Sequence, residues 1–101
     1  MSDRFEEIRK KFIGTFADKQ KEIEMAWGNK DIAHVHGLMH KLAGSSGGYG
    51  FDELYKLVYR GMELTTNNKI SNQEEMQQCL QQILSTLKKT YESQNLKENE
   101  V

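Results

Sequence analysis

The larger apolar residues Phe5, Ile8, Phe12, Phe16, Ile23 and Trp27 recur at spacings of three, four and seven, the period of a helix, with one weak turn around residues 18–21. Gly14 falls inside this stretch, which reads either as one long helix or as two. GNKD at 28–31 is a stop and a restart: Gly28 suits the position just past a helix end, and Asp31 can cap the backbone N–H groups of the next helix. Ile32, Val35, Met39 and Leu42 carry that helix into a cluster of glycines, where it is expected to end between residues 46 and 50. Phe51, Leu54, Tyr55, Val58, Met62 and Leu64 predict a further helix, with Asp52 and Glu53 in the first turn where the helix dipole favours negative charge. TTNNKISN reads as a polar loop, and Ser71 with Glu74 makes a capping box for a last helix striped by Met76, Leu80, Ile83, Leu87 and Tyr91. No useful run of strand-like alternation and no internal repeat is found. The expected fold is all-α, an antiparallel four-helix bundle, with an extra short N-terminal helix if the first stretch divides. The domain is expected over residues 1–93, with 94–101 as a frayed tail.

Composition narrows the class. The 101 residues, 37% hydrophobic and 29% charged, suit one soluble globular domain and are too apolar for wholesale disorder. Fourteen Lys and Arg against fifteen Asp and Glu give a net charge of -1, so the basic footprint of a nucleic-acid binder is missing and a protein partner is expected instead. No apolar run is long enough to insert in a membrane, and MSDRFEEIRKK lacks the apolar core of a secretion signal. Cys79 alone can form no internal disulfide and offers no structural metal motif, which points to a reducing compartment, the cytoplasm.

The chemistry gathers in HKLAGSSGGYG, which runs from His40 to Gly50. At about 100° per residue, Ile32, Val35, Met39 and Leu42 share the buried face of their helix and His40 flanks it, looking outward. Its neighbours three, four and seven residues away are Ala33, His36, Gly37, Ala43, Gly44 and Gly47, where a solvated face would usually carry Lys, Glu or Gln. A mid-helix Gly costs roughly 1 kcal/mol relative to Ala, so Gly37 and Gly44 forgo stability that the close approach of a second molecule to His40 would offset. The competing explanation is close packing of another helix of the same bundle. Gly48 and Gly50 are assigned to the helix end, where positive φ is needed. With an ordinary pKa of about 6.5, much of an exposed imidazole is neutral near pH 7 and keeps a free lone pair, which makes it a nucleophile.

His40, Leu42, Gly44, Ser45, Ser46 and Gly50 resemble the motif of histidine-containing phosphotransfer (HPt) domains, in which a His is followed by an apolar residue, a Gly one turn on, small residues and a closing Gly. The GNKD turn with its following helix and the FDELYKL helix are similar as well, so the resemblance spans roughly residues 5–90. It implies a bundle whose His40 accepts a phosphoryl group from a receiver-domain aspartate, or from a cognate kinase, and passes it to another receiver. Such a protein is a phosphocarrier and not an enzyme, with no cofactor of its own and a divalent cation on the receiver. The implied partners are response-regulator receiver domains, a sensor histidine kinase, or both. His36, Gly37, Lys41, Ala43, Gly44 and Gly47 would line the docking surface and the surroundings of the phosphate. One departure stands out: the family commonly has Lys three residues after the His, where this chain has Ala43. Lys41, Lys30, Lys56 and Arg60 are candidates to offset the added charge.

Three other readings compete. His36 and His40, one turn apart, could clamp a metal, although HVHGLMH carries no carboxylate between them and no metal site is assigned. GSSGGYG fails as a phosphate-binding loop because no Lys-Ser or Lys-Thr follows and a helix precedes it. A binding-only module of the same fold, without transfer activity, is the main alternative, and Ala43 keeps it open. Met25, Met39, Met62, Met76, Trp27, Tyr55 and Tyr59 are assigned to core packing.

Overall fold

A computed structural model describes residues 3–99, and every regular element among them is helical. The order is α1 (Asp3–Gly14), α2 (Phe16–Gly28), α3 (Ile32–Gly48), α4 (Asp52–Leu64), a short 3-10 turn (Thr66–Asn68) and α5 (Gln73–Asn99). Helices α2 to α5 pack each on the next and α5 returns to α2, which closes a four-helix ring, while α1 lies against α5 and α2. The all-α bundle read from the sequence is the fold found.

The first apolar stretch divides into two helices. The break is at Thr15, whose hydroxyl and N–H both donate to the Phe12 carbonyl, at 2.6 and 3.0 Å. That local bonding tightens the end of α1 and lets the Phe12 and Phe16 rings meet edge to face, with centroids 5.0 Å apart. Asp31 caps α3 as expected, its carboxylate accepting from the His34 N–H at 3.2 Å. Gly28 is the last residue of α2, and the left-handed step falls two residues later on Lys30, at φ 58°. There the Asp31 N–H reaches back to the Ala26 carbonyl at 2.9 Å and closes the helix end. The Ser71–Glu74 box does not form. Asn72, an equally good cap, takes the Glu75 N–H at 3.0 Å instead. Helix α5 continues past residue 93, because ESQNLKEN has no Gly or Pro to stop it. Residues 100 and 101 of the expected tail lie outside the described residues.

The core is built from Phe12, Phe16, Ile23, Val35, Met39, Leu42, Leu54, Val58, Met76, Ile83 and Leu87. Phe5 and Ile8 continue the same stripe in sequence but remain exposed, because no further helix among the described residues covers the outer half of α1. Met25, Tyr55 and Tyr59 are exposed too, contrary to the packing role expected of them, whereas Met39 and Met76 are fully buried.

Helix α1 has a definite task at the corner between α3 and α4. Arg9 donates through Nε to the Tyr49 carbonyl at 3.3 Å, and its guanidinium stands 4.2 Å from the centroid of the Phe51 ring. Phe12 adds contacts to the Tyr49 and Phe51 rings at 5.0 and 5.6 Å. Gly50, at φ 78°, makes the left-handed turn that brings Tyr49 and Phe51 under α1.

Ser46 is fully buried in this core, and among the described residues its hydroxyl has no hydrogen-bond partner. An unpaired buried polar group costs about 1–3 kcal/mol. Ser46→Ala should therefore hold stability or raise it by about 1 kcal/mol in urea unfolding. A loss of that size would mean that the hydroxyl is bonded in solution.

Candidate functional site

Helix α3 buries an arc made of Val35, Met39, Leu42, Ala43 and Ser46. His40 lies just outside that arc and is exposed, as its register predicts. Ala43 was expected on the cleared flank with Gly44; it is only 6% exposed and belongs to the core. The arc is wider than four apolar residues suggest because α4 approaches α3 closely, so position 43 is covered as well.

The three histidines have different surroundings. His34 Nε2 faces the Glu22 carboxylate across the α2–α3 seam at 3.4 Å. His36, half-buried, places Nδ1 2.9 Å from Thr65 Oγ1. The Thr65 hydroxyl itself donates to the Gly61 carbonyl at 2.8 Å, so His36 Nδ1–H is the donor to Thr65 and the ring is pinned to the end of α4. Among the described residues His40 has no hydrogen-bond or ion-pair partner, and its ring nitrogens stay available.

The glycines divide by function. A Cβ built on Gly37 or on Gly44 meets nothing within 4 Å, so neither glycine makes room for a helix of this bundle. The clearance on this flank faces outward. Gly47 differs: a Cβ there would come 3.3 Å from the Tyr55 ring, so its bare backbone seats α4. Gly48 is also open, but it is the last residue of α3 and lacks the positive φ expected of it, which falls on Gly50 instead.

Beside His40 lies a wide, shallow depression whose walls include Lys19, Lys41, Gly44, Ser45, Gly48 and Tyr49. Lys41 thus reaches the site from its position next to His40. The other basic candidates do not. Arg60 is engaged with Glu75 at 2.6 Å and Glu63 at 3.4 Å, Lys56 lines a groove between α4 and α5, and Lys30 lines one beside Trp27 and Ile70. Lys19 was not picked out from the sequence. Its signal is positional: it precedes the GNKD turn by about as many residues as His40 follows it, and antiparallel helices that rise equally per residue bring such positions level.

Other reactive groups are remote or muted. Cys79 is buried, its thiol donates to the Leu57 carbonyl at 3.2 Å, and burial pushes its pKa up. Among the described residues no three His, Cys, Asp or Glu side chains gather where they could hold a metal ion, and no helix is long and apolar enough to cross a membrane.

The helical bundle thus turns one unengaged imidazole outward over an open glycine flank. The family model of the Hpt domain matches residues 7–90, most of the chain, and the protein belongs to that family. Membership places it among the modules of histidine phosphotransfer relays, which are phosphocarriers and not classical enzymes. No curated protein and no solved structure matches the chain.

Because Gly44 is exposed, helical and free of neighbours, Gly44→Ala should stabilise the fold by about 1 kcal/mol. In a domain of this size that is a rise in Tm of about 4–8 °C, read by thermal unfolding. No change, or a fall, would show that the glycine serves the backbone of α3 rather than the space above it.

Proposed function

We propose that this protein is a phosphorelay intermediate of two-component signalling that carries the phosphoryl group on His40. The observation that supports the reading best is the contrast among the histidines: His34 and His36 face partners within the fold, and His40 keeps a free ring on an open flank. In the proposed step the lone pair of a neutral His40 ring nitrogen attacks the phosphorus of an aspartyl phosphate on a receiver domain. The P–N bond forms as the acyl P–O bond breaks, and the electron pair returns to the aspartate as its carboxylate. The second ring nitrogen keeps its proton, which exchanges with solvent. Transfer to the next receiver is the same step reversed.

Most of the catalytic power sits on the partner under this reading. The receiver supplies the aspartate and the divalent cation that neutralises the phosphoryl oxygens, and this chain supplies a positioned nucleophile and a surface. Gly37 and Gly44 let the receiver come close, and His36, held by Thr65, lines the same flank without competing for the phosphoryl group. A single buried thiol and a chain without membrane-crossing helices among its described residues suit a cytoplasmic relay.

Phosphoryl acceptance from radiolabelled phospho-receivers tests the reading. Wild type and His36→Gln should take up an acid-labile, base-stable label, and His40→Gln should take up none while keeping its thermal stability within about 0.5 kcal/mol. Gly44→Gln should fold normally yet accept label at least about tenfold more slowly, the effect of a steric penalty near 1.4 kcal/mol. Absence of label in wild type with every receiver and kinase of the cell would leave a binding-only module.

A further inference from the structure

We propose that Lys19 of α2, together with Lys41 of α3, binds the phosphoryl group carried by His40 and supplies the positive charge that Ala43 cannot. The proposal rests on the phosphocarrier reading and names the cations of that site.

Both lysines line the depression beside His40, one from each of two adjacent helices, as do Gly44 and Ser45. They also share the smaller hollow that continues along the α2–α3 seam past Ser45. Neither is in an ion pair among the described residues, although the chain carries slightly more acidic than basic side chains. Glu22, the acid that lines the smaller hollow, is turned to His34 at 3.4 Å. Two ammonium groups without an ion-pair partner among the described residues thus line the depression that His40 also lines, whereas Arg60 is held by Glu75 and Glu63.

Lys19 is also partly held in place. Its Nζ lies 6.0 Å from the centroid of the Phe12 ring, at the outer limit of a cation–π contact, and the residue is only half-exposed. An ammonium kept at the rim of the site loses less freedom on meeting an anion than one on a fully solvated chain. The added group carries a charge of about −2 near neutral pH, and a pair of lysines matches it. A lysine at position 43 would instead start from a buried site inside the α3–α4 seam. With alanine there, the charge comes from the other side of His40, across the α2–α3 seam.

The test uses phosphoramidate, a small anionic donor with no docking surface, on the full chain. Wild type should be labelled on His40, and Lys19→Gln, which keeps most of the stem against Phe12, should label about threefold or more slowly at low salt, with the difference shrinking as salt is raised. Lys41→Gln should act in the same direction, the double variant should be slower than either, and Lys19→Arg should restore the rate. By 31P NMR, the ionisation of the phosphate on His40 should move up by about half a pH unit in Lys19→Gln, because a cation that favoured the dianion is gone. Lys56→Gln, on another face, should change neither quantity. Normal labelling and an unmoved phosphate ionisation in Lys19→Gln would overturn the proposal and leave the carrier reading intact. A defect seen with phospho-receivers but not with phosphoramidate would also overturn it, making Lys19 a contact for the partner's surface. A wild type that takes label from no donor would remove the carrier reading and this inference with it.

Discussion

Met39 decides where His40 points. Its side chain is fully buried, and its sulfur lies 3.1 Å from where a Cβ on Gly61 would stand, so α3 and α4 approach through the missing side chain of Gly61. The next residue of a helix is turned by about 100°, which carries His40 out of the interface and onto the surface. The same stretch of α4 governs the turn before: Gly61 offers its carbonyl to the Thr65 hydroxyl, and Thr65 receives His36. One short segment thus sets the depth of Met39 and pins His36, and the outward position of His40 follows from packing, with no contact of its own required.

The corner at the end of α3 is a second fixed point. Arg9 and Phe12 hold Tyr49 and Phe51 from the far side of the chain, which anchors the C-terminal end of α3 two turns beyond His40. The flank that carries Gly44 and Gly48 is therefore rigidly mounted although it is bare. A docking surface with few side chains needs such a mount, since it has little of its own to order on binding.

What the sequence made legible was what depends on near neighbours. The helical period, the Asp31 cap, the left-handed Gly50 and the outward register of His40 are all local, and each is found in the fold. What escaped depends on distant partners. Periodicity shows which face of α1 is apolar but not whether another helix covers it, and Phe5 and Ile8 lie on that stripe yet stand exposed. The width of the buried arc on α3 depends on how closely α4 comes, which is why Ala43 was assigned to the wrong side of the boundary. Lys19 lies in the weakest turn of its stripe and acquires meaning only when α2 is folded back on α3. Of the candidate site, His40 with Gly37, Gly44 and Lys41 was readable in this way, and Lys19 was not.

Gly37 and Gly44 stand in open space on a helix, where nearly any side chain would fold better. A laboratory search for heat-resistant variants of this protein would fill those two positions early, and the winners would be firmer molecules with a crowded flank. Thermal endurance and access to His40 thus pull the same two positions in opposite directions, and a library sorted only by survival on heating would discard the open flank beside His40.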